Sequence, residues 1–235
     1  MNSARLVLSF PGGNVRPRSF RILSILLIAA SLLPAWSPRF HEAQTQLALN
    51  LIPKRMAGFL RSYPRALSEG ARGVANDQVP APEDIEAQFS RILQISEEQR
   101  RPELLVRELG TLAHMVQLLL DPSATMGVTP LREQFETYGD EHLPRLVANR
   151  EPFWAITTPL DPRPHLLHWS EVKYVRHRLL LQHFDSAMGR RTGPWDILSR
   201  PFAQLQLSYS SGVNATANIW IQTWRAVGEY WDIPQ

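Results

Sequence analysis

The chain has no cysteine, which excludes a disulfide framework, thiolate zinc sites and a lipid anchor on cysteine. Acidic residues are missing from residues 1–35, where Arg5, Arg16, Arg18 and Arg21 are the only charges. The whole 235-residue chain has a formal net charge of +3, but residues 36–235 carry 21 Lys+Arg against 22 Asp+Glu, or −1. A near-neutral body gives no electrostatic reason for tight binding to a phosphate backbone. There is no nucleotide-binding glycine loop, no serine–histidine elbow motif, no internal repeat and no low-complexity linker that would split the chain. Strand-type alternation is absent beyond Trp36, whereas helical periodicity is pervasive.

At 44% hydrophobic and 20% charged residues the chain can bury a proper core. It opens with a basic stretch ending at Arg21, then the apolar run Ile22–Leu33, then Pro34-Ala35 before Trp36. Basic region, short apolar core and small-residue exit have the order of a secretory signal. The run is short for a membrane span, which needs about 20 residues. Cleavage before Trp36 is therefore the expectation, with an uncleaved anchor as the alternative. The expected domains are a signal peptide over 1–35 and a helical domain over 36–235, exported to the periplasm or secreted, with no membrane span after cleavage.

The periodicity predicts helix over about 42–62, interrupted at Pro53, with Leu47, Leu49, Leu51, Ile52, Met56 and Leu60 facing a core. Further helices are expected over 64–73 and 83–94. Ser96 with Gln99 reads as a capping box opening a long helix that Pro122 stops. An amphipathic helix is expected over 131–149 and a proline-rich connection over 150–167. Helices over about 169–190, 194–209 and 213–230 complete an all-α, single compact multi-helix domain.

Four segments, in order, carry a resemblance. They are Trp36-Ser37-Pro38-Arg39-Phe40-His41 with Leu51-Ile52-Pro53, then Arg107–His114 with Pro122, then Arg132-Glu133-Gln134-Phe135-Glu136, and finally Gly212–Trp220 running on to Gly228. Together they resemble the bacterial zinc-dependent phospholipase C and single-strand-specific zinc nuclease superfamily. The resemblance implies a helical shell around three zinc ions that hydrolyse phosphodiesters of phospholipid or nucleic acid. In such a centre the ions activate a water and neutralise charge on the phosphoryl group, and the amino group and carbonyl of a terminal tryptophan ligate one ion.

Carried over position by position, the resemblance assigns Trp36, His41, Asp77, His114 and Glu136 as metal ligands, with Asp77 also as the candidate catalytic residue. It equally exposes losses. Leu118 stands where a bridging aspartate is expected, Ala124 and Arg132 where histidines are expected, and no histidine occurs between 42 and 113. Leucine, alanine and arginine cannot ligate zinc, so fewer than three ions, or none, are expected. Asp121 lies seven residues beyond His114, about 10 Å along a helix, too far to share one ion comfortably. Arg132 is four residues before Glu136, so their side chains can meet and the guanidinium can stand in for a lost cation.

Other features have plainer readings. His165, His168 and Glu171 suggest a second metal site or a solvated helix entry, the latter favoured. His177 and His183 with Asp185 suggest ligands or polar-face histidines, again the latter favoured. His142 beside Asp140 and Glu141 reads as charged surface. Trp220 and Trp224, near Tyr230 and Trp231, read as core. The glycosylation pattern Asn214-Ala215-Thr216 is discounted because it falls inside a helix. Two functions stay open: a metal-dependent phosphodiesterase of reduced or altered activity using one or two ions, or a non-catalytic descendant that keeps the helical shell.

Overall fold

Prolines punctuate the helices. The computed structural model describes residues 37–73, 79–98, 101–124, 129–151 and 161–227. Among them are eight α-helices: α1 Pro38–Ala48, α2 Lys54–Arg61, α3 Pro64–Ala71, α4 Pro82–Glu98, α5 Pro102–Leu120, α6 Pro130–His142, α7 Arg163–Leu181 and α8 Arg200–Val227. Five of them begin on proline, which has no N–H to lose in the first turn and a φ already suited to helix. Three gain a hydroxyl cap. Ser37 Oγ accepts from the N–H of Phe40 at 3.2 Å, Thr129 Oγ1 from that of Arg132 at 3.2 Å, and Ser199 Oγ from that of Phe202 at 3.3 Å. The expected all-α class is what the structure shows.

Helices α5 and α8 make the centre. Leu105, Leu109, Leu112, Val116 and Leu119 of α5 are buried, as are Val213, Ala217, Ile219 and Trp220 of α8. The Trp220 indole N–H donates to the carbonyl of Leu109 at 2.9 Å, tying the two helices together. Helix α3 lies close against α5, and α1, α4 and α7 pack around the central pair. Gly70 and Gly110 set the α3–α5 distance. A Cβ on Gly70 would lie 2.1 Å from the Arg107 carbonyl oxygen, and one on Gly110 2.5 Å from that of Leu67.

The structure corrects several boundaries. Ser96 opens no helix: it is buried inside α4, where its hydroxyl donates to the Leu93 carbonyl at 2.8 Å. The long helix starts instead at Pro102. The amphipathic helix ends at His142 rather than 149, because Pro144 directs the chain into a single 3-10 turn over Leu143–Arg145. The two closing helices are one, 28 residues long. Gly212 does not break it: a Cβ there would fall 2.2 Å from Gln44 Nε2, so this glycine admits α1. The Gln44 amide then donates to the Tyr209 carbonyl at 3.2 Å.

Helix α7 begins six residues earlier than expected and stops at Leu181. The chain then forms a small antiparallel ladder, β1 Phe184–Asp185 with β2 Arg190–Arg191, where no strand was expected. The Asp185 carboxylate accepts from the N–H groups of Ala187 and Met188, and Gly189 closes the turn at φ 61°. That turn chemistry explains why an apparently helical stretch bends back.

The segment after α6 runs along α8 as a polar strap. Ser210 Oγ accepts from the N–H of Asn149 at 3.0 Å, and Asn214 Oδ1 from that of Glu151 at 3.0 Å. Asn214 is 1% exposed, so the glycosylation pattern is inaccessible in the folded chain.

Candidate functional site

Helices α1, α5 and α6 bring three of the five expected ligands into one buried region. His41 is fully buried on α1 and His114 is buried on α5, with ring centroids 4.3 Å apart. Gln117, one turn beyond His114, organises the pair. Its amide nitrogen donates to Thr45 Oγ1 at 3.1 Å and Thr216 Oγ1 at 3.2 Å. Its oxygen accordingly accepts from Nδ1–H of His41 at 2.7 Å, which puts the lone pair of that imidazole on Nε2. Burial first, then the nearby His114, push the His41 pKa well below its usual value, and Arg132 adds to this against the opposing Gln117 bond. His41 is neutral at pH 7.

Gly73 closes the far side of His114. Its φ of 75° suits glycine, and a Cβ there would meet His114 Nε2 at 2.3 Å. The third ligand, Glu136, is engaged already: Arg132 Nε donates to its Oε1 at 3.0 Å. The Arg132 side chain is 2% exposed and that of Glu136 11%, so this is a buried ion pair. Trp36 and Asp77 lie outside the described residues.

The substituted positions also come together. Leu118 and Ala124 are buried and form a small apolar cluster of their own, with Val79 packed against it. Oδ1 of the buried Asp121 carboxylate accepts from Ser123 N–H and Oγ–H, both at 2.8 Å, holding the turn after α5. Lys173 of α7 is buried close enough for Asp121 and Arg132 to act on it electrostatically. Burial lowers its pKa to about 8 against the opposing pull of Asp121, and Arg132 lowers it further. Sequence reasoning missed Gln117 and Lys173. Only the rarity of lysine in this arginine-rich chain signals the second.

No group of three His, Asp or Glu side chains able to hold a metal occurs among the described residues. Among the described residues the donors of a three-ion centre are not assembled: an arginine pairs with Glu136, and Leu118 and Ala124 make an apolar contact. The remaining histidines lie elsewhere. His165 and His168 line a cavity of about 340 Å³ between α7 and α8, while Glu171 is exposed. His142 Nδ1 is 3.0 Å from the Tyr138 carbonyl. His177 donates through Nδ1–H to the Pro122 carbonyl at 2.7 Å, so it faces a cavity rather than the polar surface expected of it. Trp220 is wholly buried, Trp224 packs on Phe59 with centroids 5.5 Å apart, and Tyr230 and Trp231 lie outside the described residues.

Comparison with known proteins follows from this geometry. The chain is similar to the crystal structure of Clostridium perfringens alpha-toxin from an avian strain, at a TM-score of 0.62 and 12% identity over 82% of this chain. The match spans 65% of the toxin chain, just under two thirds of its length. No family model matches, and no curated protein matches. The likeness shows the fold: the all-α architecture is one this chain shares with that toxin.

Proposed function

We propose that this chain is a phospholipase C-like domain in which the buried Arg132 guanidinium has replaced metal charge, leaving a module with little or no phosphodiesterase activity. The Arg132–Glu136 pair is the observation that carries the reading. A carboxylate expected to hold zinc is neutralised by a guanidinium from a position where a histidine ligand is expected. The apolar contact of Leu118 with Ala124 supports it independently, since a bridging carboxylate and an imidazole have given way to hydrocarbon. Ancestral substrates would be phosphodiesters of phospholipid or nucleic acid. The domain is proposed to be exported, with residues 1–35 removed before Trp36.

The second reading is an active phosphodiesterase with one or two ions. The adjacent His41 and His114 rings favour it, because two of the expected imidazole ligands, assigned by the resemblance to two different ions, lie side by side. Elemental analysis of the purified protein, beside an assay of phosphodiester hydrolysis with and without added zinc, separates the two. The first reading expects less than one zinc per chain and no zinc-dependent turnover. Two or more zincs with turnover would overturn it.

A further inference from the structure

Only two of the chain's 25 basic residues are lysines: Lys54, exposed on α2, and Lys173, buried on α7. Everywhere else the cation is arginine, which stays protonated and cannot act as a nucleophile. Among the described lysines and arginines, Lys173 is therefore the buried one that can lose its proton. It lines a cavity of about 460 Å³ whose other wall includes Val79, Leu119 and Ala124. Ser170, Lys173 and His177 follow one another at spacings of three and four, so a single face of α7 borders the cavity.

The neighbours of Lys173 have a consistent chemistry. Among the described residues its amine has no hydrogen-bonding or ion-pair partner, and it is acted on at longer range by Asp121 and Arg132. Arg132 is paired with Glu136, so Lys173, Arg132, Asp121 and Glu136 sum to no net charge with Lys173 protonated and to −1 with its amine neutral. A free anion gains little from such a cluster. An uncharged molecule with an apolar body fits the wall and leaves the amine as the reactive group. Desolvation with a cation nearby is the setting that activates a lysine amine toward carbonyl compounds. Accordingly its pKa is brought down to about 8, chiefly by burial. His177 spends Nδ1–H on the Pro122 carbonyl, which leaves Nε2 as the ring nitrogen able to exchange a proton.

We propose that this cavity is a carbonyl-capture site, in which Lys173 binds an apolar aldehyde or ketone as an imine and His177 moves the protons. The neutral amine adds to the carbonyl carbon, forming the C–N bond as the C=O π pair passes to oxygen. His177 carries the two nitrogen protons in turn to that oxygen: the first makes the carbinolamine hydroxyl, and the second lets it leave as water, the C–O bond breaking as the nitrogen lone pair forms C=N. The products are one imine and one water, and no oxidant or reductant is consumed.

The two lysines make the test internal. The full protein is incubated with hexanal, imines are trapped with cyanoborohydride, and alkylated peptides are mapped by mass spectrometry. The expected result is at least tenfold more adduct on Lys173 than on Lys54, with the preference lost in denaturant. His177→Gln slows adduct formation at Lys173 several-fold without abolishing it, and Lys173→Arg removes the cavity adduct. Equal labelling of the two lysines in the native protein overturns the proposal. So does binding of hexanoate with no hexanal adduct, which would define an anion pocket. The labelling reads an amine, not a metal, so its outcome is separate from that of the zinc analysis.

Discussion

Arg132 Nε lies 3.0 Å from Glu136 Oε1, one helical turn away, with both side chains almost wholly out of water. Such a pair is costly to leave half-made, because the remaining charge stays buried without compensation. Arg132→Ala is predicted to destabilise the protein by about 3–5 kcal/mol in denaturant unfolding. The double variant Arg132→Met with Glu136→Leu should recover most of that loss, since well-packed hydrocarbon can replace a buried ion pair. If Arg132→Ala leaves the unfolding midpoint where it was, the guanidinium is not standing in for a cation.

The substituted positions allow the opposite experiment. Leu118→Asp alone puts a carboxylate into the contact with Ala124 and Val79, and is predicted to cost about 3 kcal/mol or more. Combining Leu118→Asp, Ala124→His and Arg132→His supplies three of the four donors whose absence the resemblance exposes. Zinc should then raise the thermal midpoint of the triple variant, by the equivalent of about 2.7 kcal/mol at a hundredfold excess over Kd. The parent chain should not respond. A parent that is stabilised as strongly as the variant would show that its own donors already make a zinc site.

The all-α class was legible because Leu105, Leu109, Leu112, Val116 and Leu119 repeat at helical spacing and prolines mark the helix starts. The Arg132–Glu136 meeting was legible for the same reason, being a short-range relation along one helix. Gln117 was not, because its role depends on Thr45 and Thr216, 72 and 99 residues away in sequence. Lys173 was hidden likewise, since its burial comes from packing of α7 against α5. Ser96 misled because its hydroxyl bonds back to the Leu93 carbonyl inside α4, and the break expected between 209 and 213 is absent because Gly212 lies within α8, where its missing Cβ makes room for Gln44. Trp36 and Asp77 lie outside the described residues, so their assignment as ligands stands as a proposal.

Close approach of α3 and α5 rests on two glycines opposite one another. Gly70→Ala and Gly110→Ala each place a methyl within 2.5 Å of backbone oxygen on the partner helix, and backbone cannot move aside as a side chain does. Each is predicted to cost about 3 kcal/mol, the upper end for overpacking, although alanine is the better helix former. Chemical denaturation of the two variants checks this. A neutral or stabilising effect would mean that the helices separate at little cost.

Lys173 makes a prediction about pH whose sign follows from proton counting. Its pKa is about 8 in the folded chain against an ordinary 10.5, with burial as the main cause. Between those values the unfolded state binds more protons than the folded state, so this residue makes stability rise with pH. The contribution is fully present above pH 10.5 and is lost as pH falls through 8. Its full size is on the order of 3 kcal/mol. Tyr138 and Tyr209 also titrate at alkaline pH, both raised by burial and Tyr209 to about 12. The comparison is therefore made against Lys173→Met, in which both tyrosines remain. The parent should gain on the variant from pH 7 to pH 10, with most of the gain above pH 8. A difference independent of pH over that range would show that the Lys173 amine keeps its ordinary affinity for a proton, and that the cavity does not desolvate it.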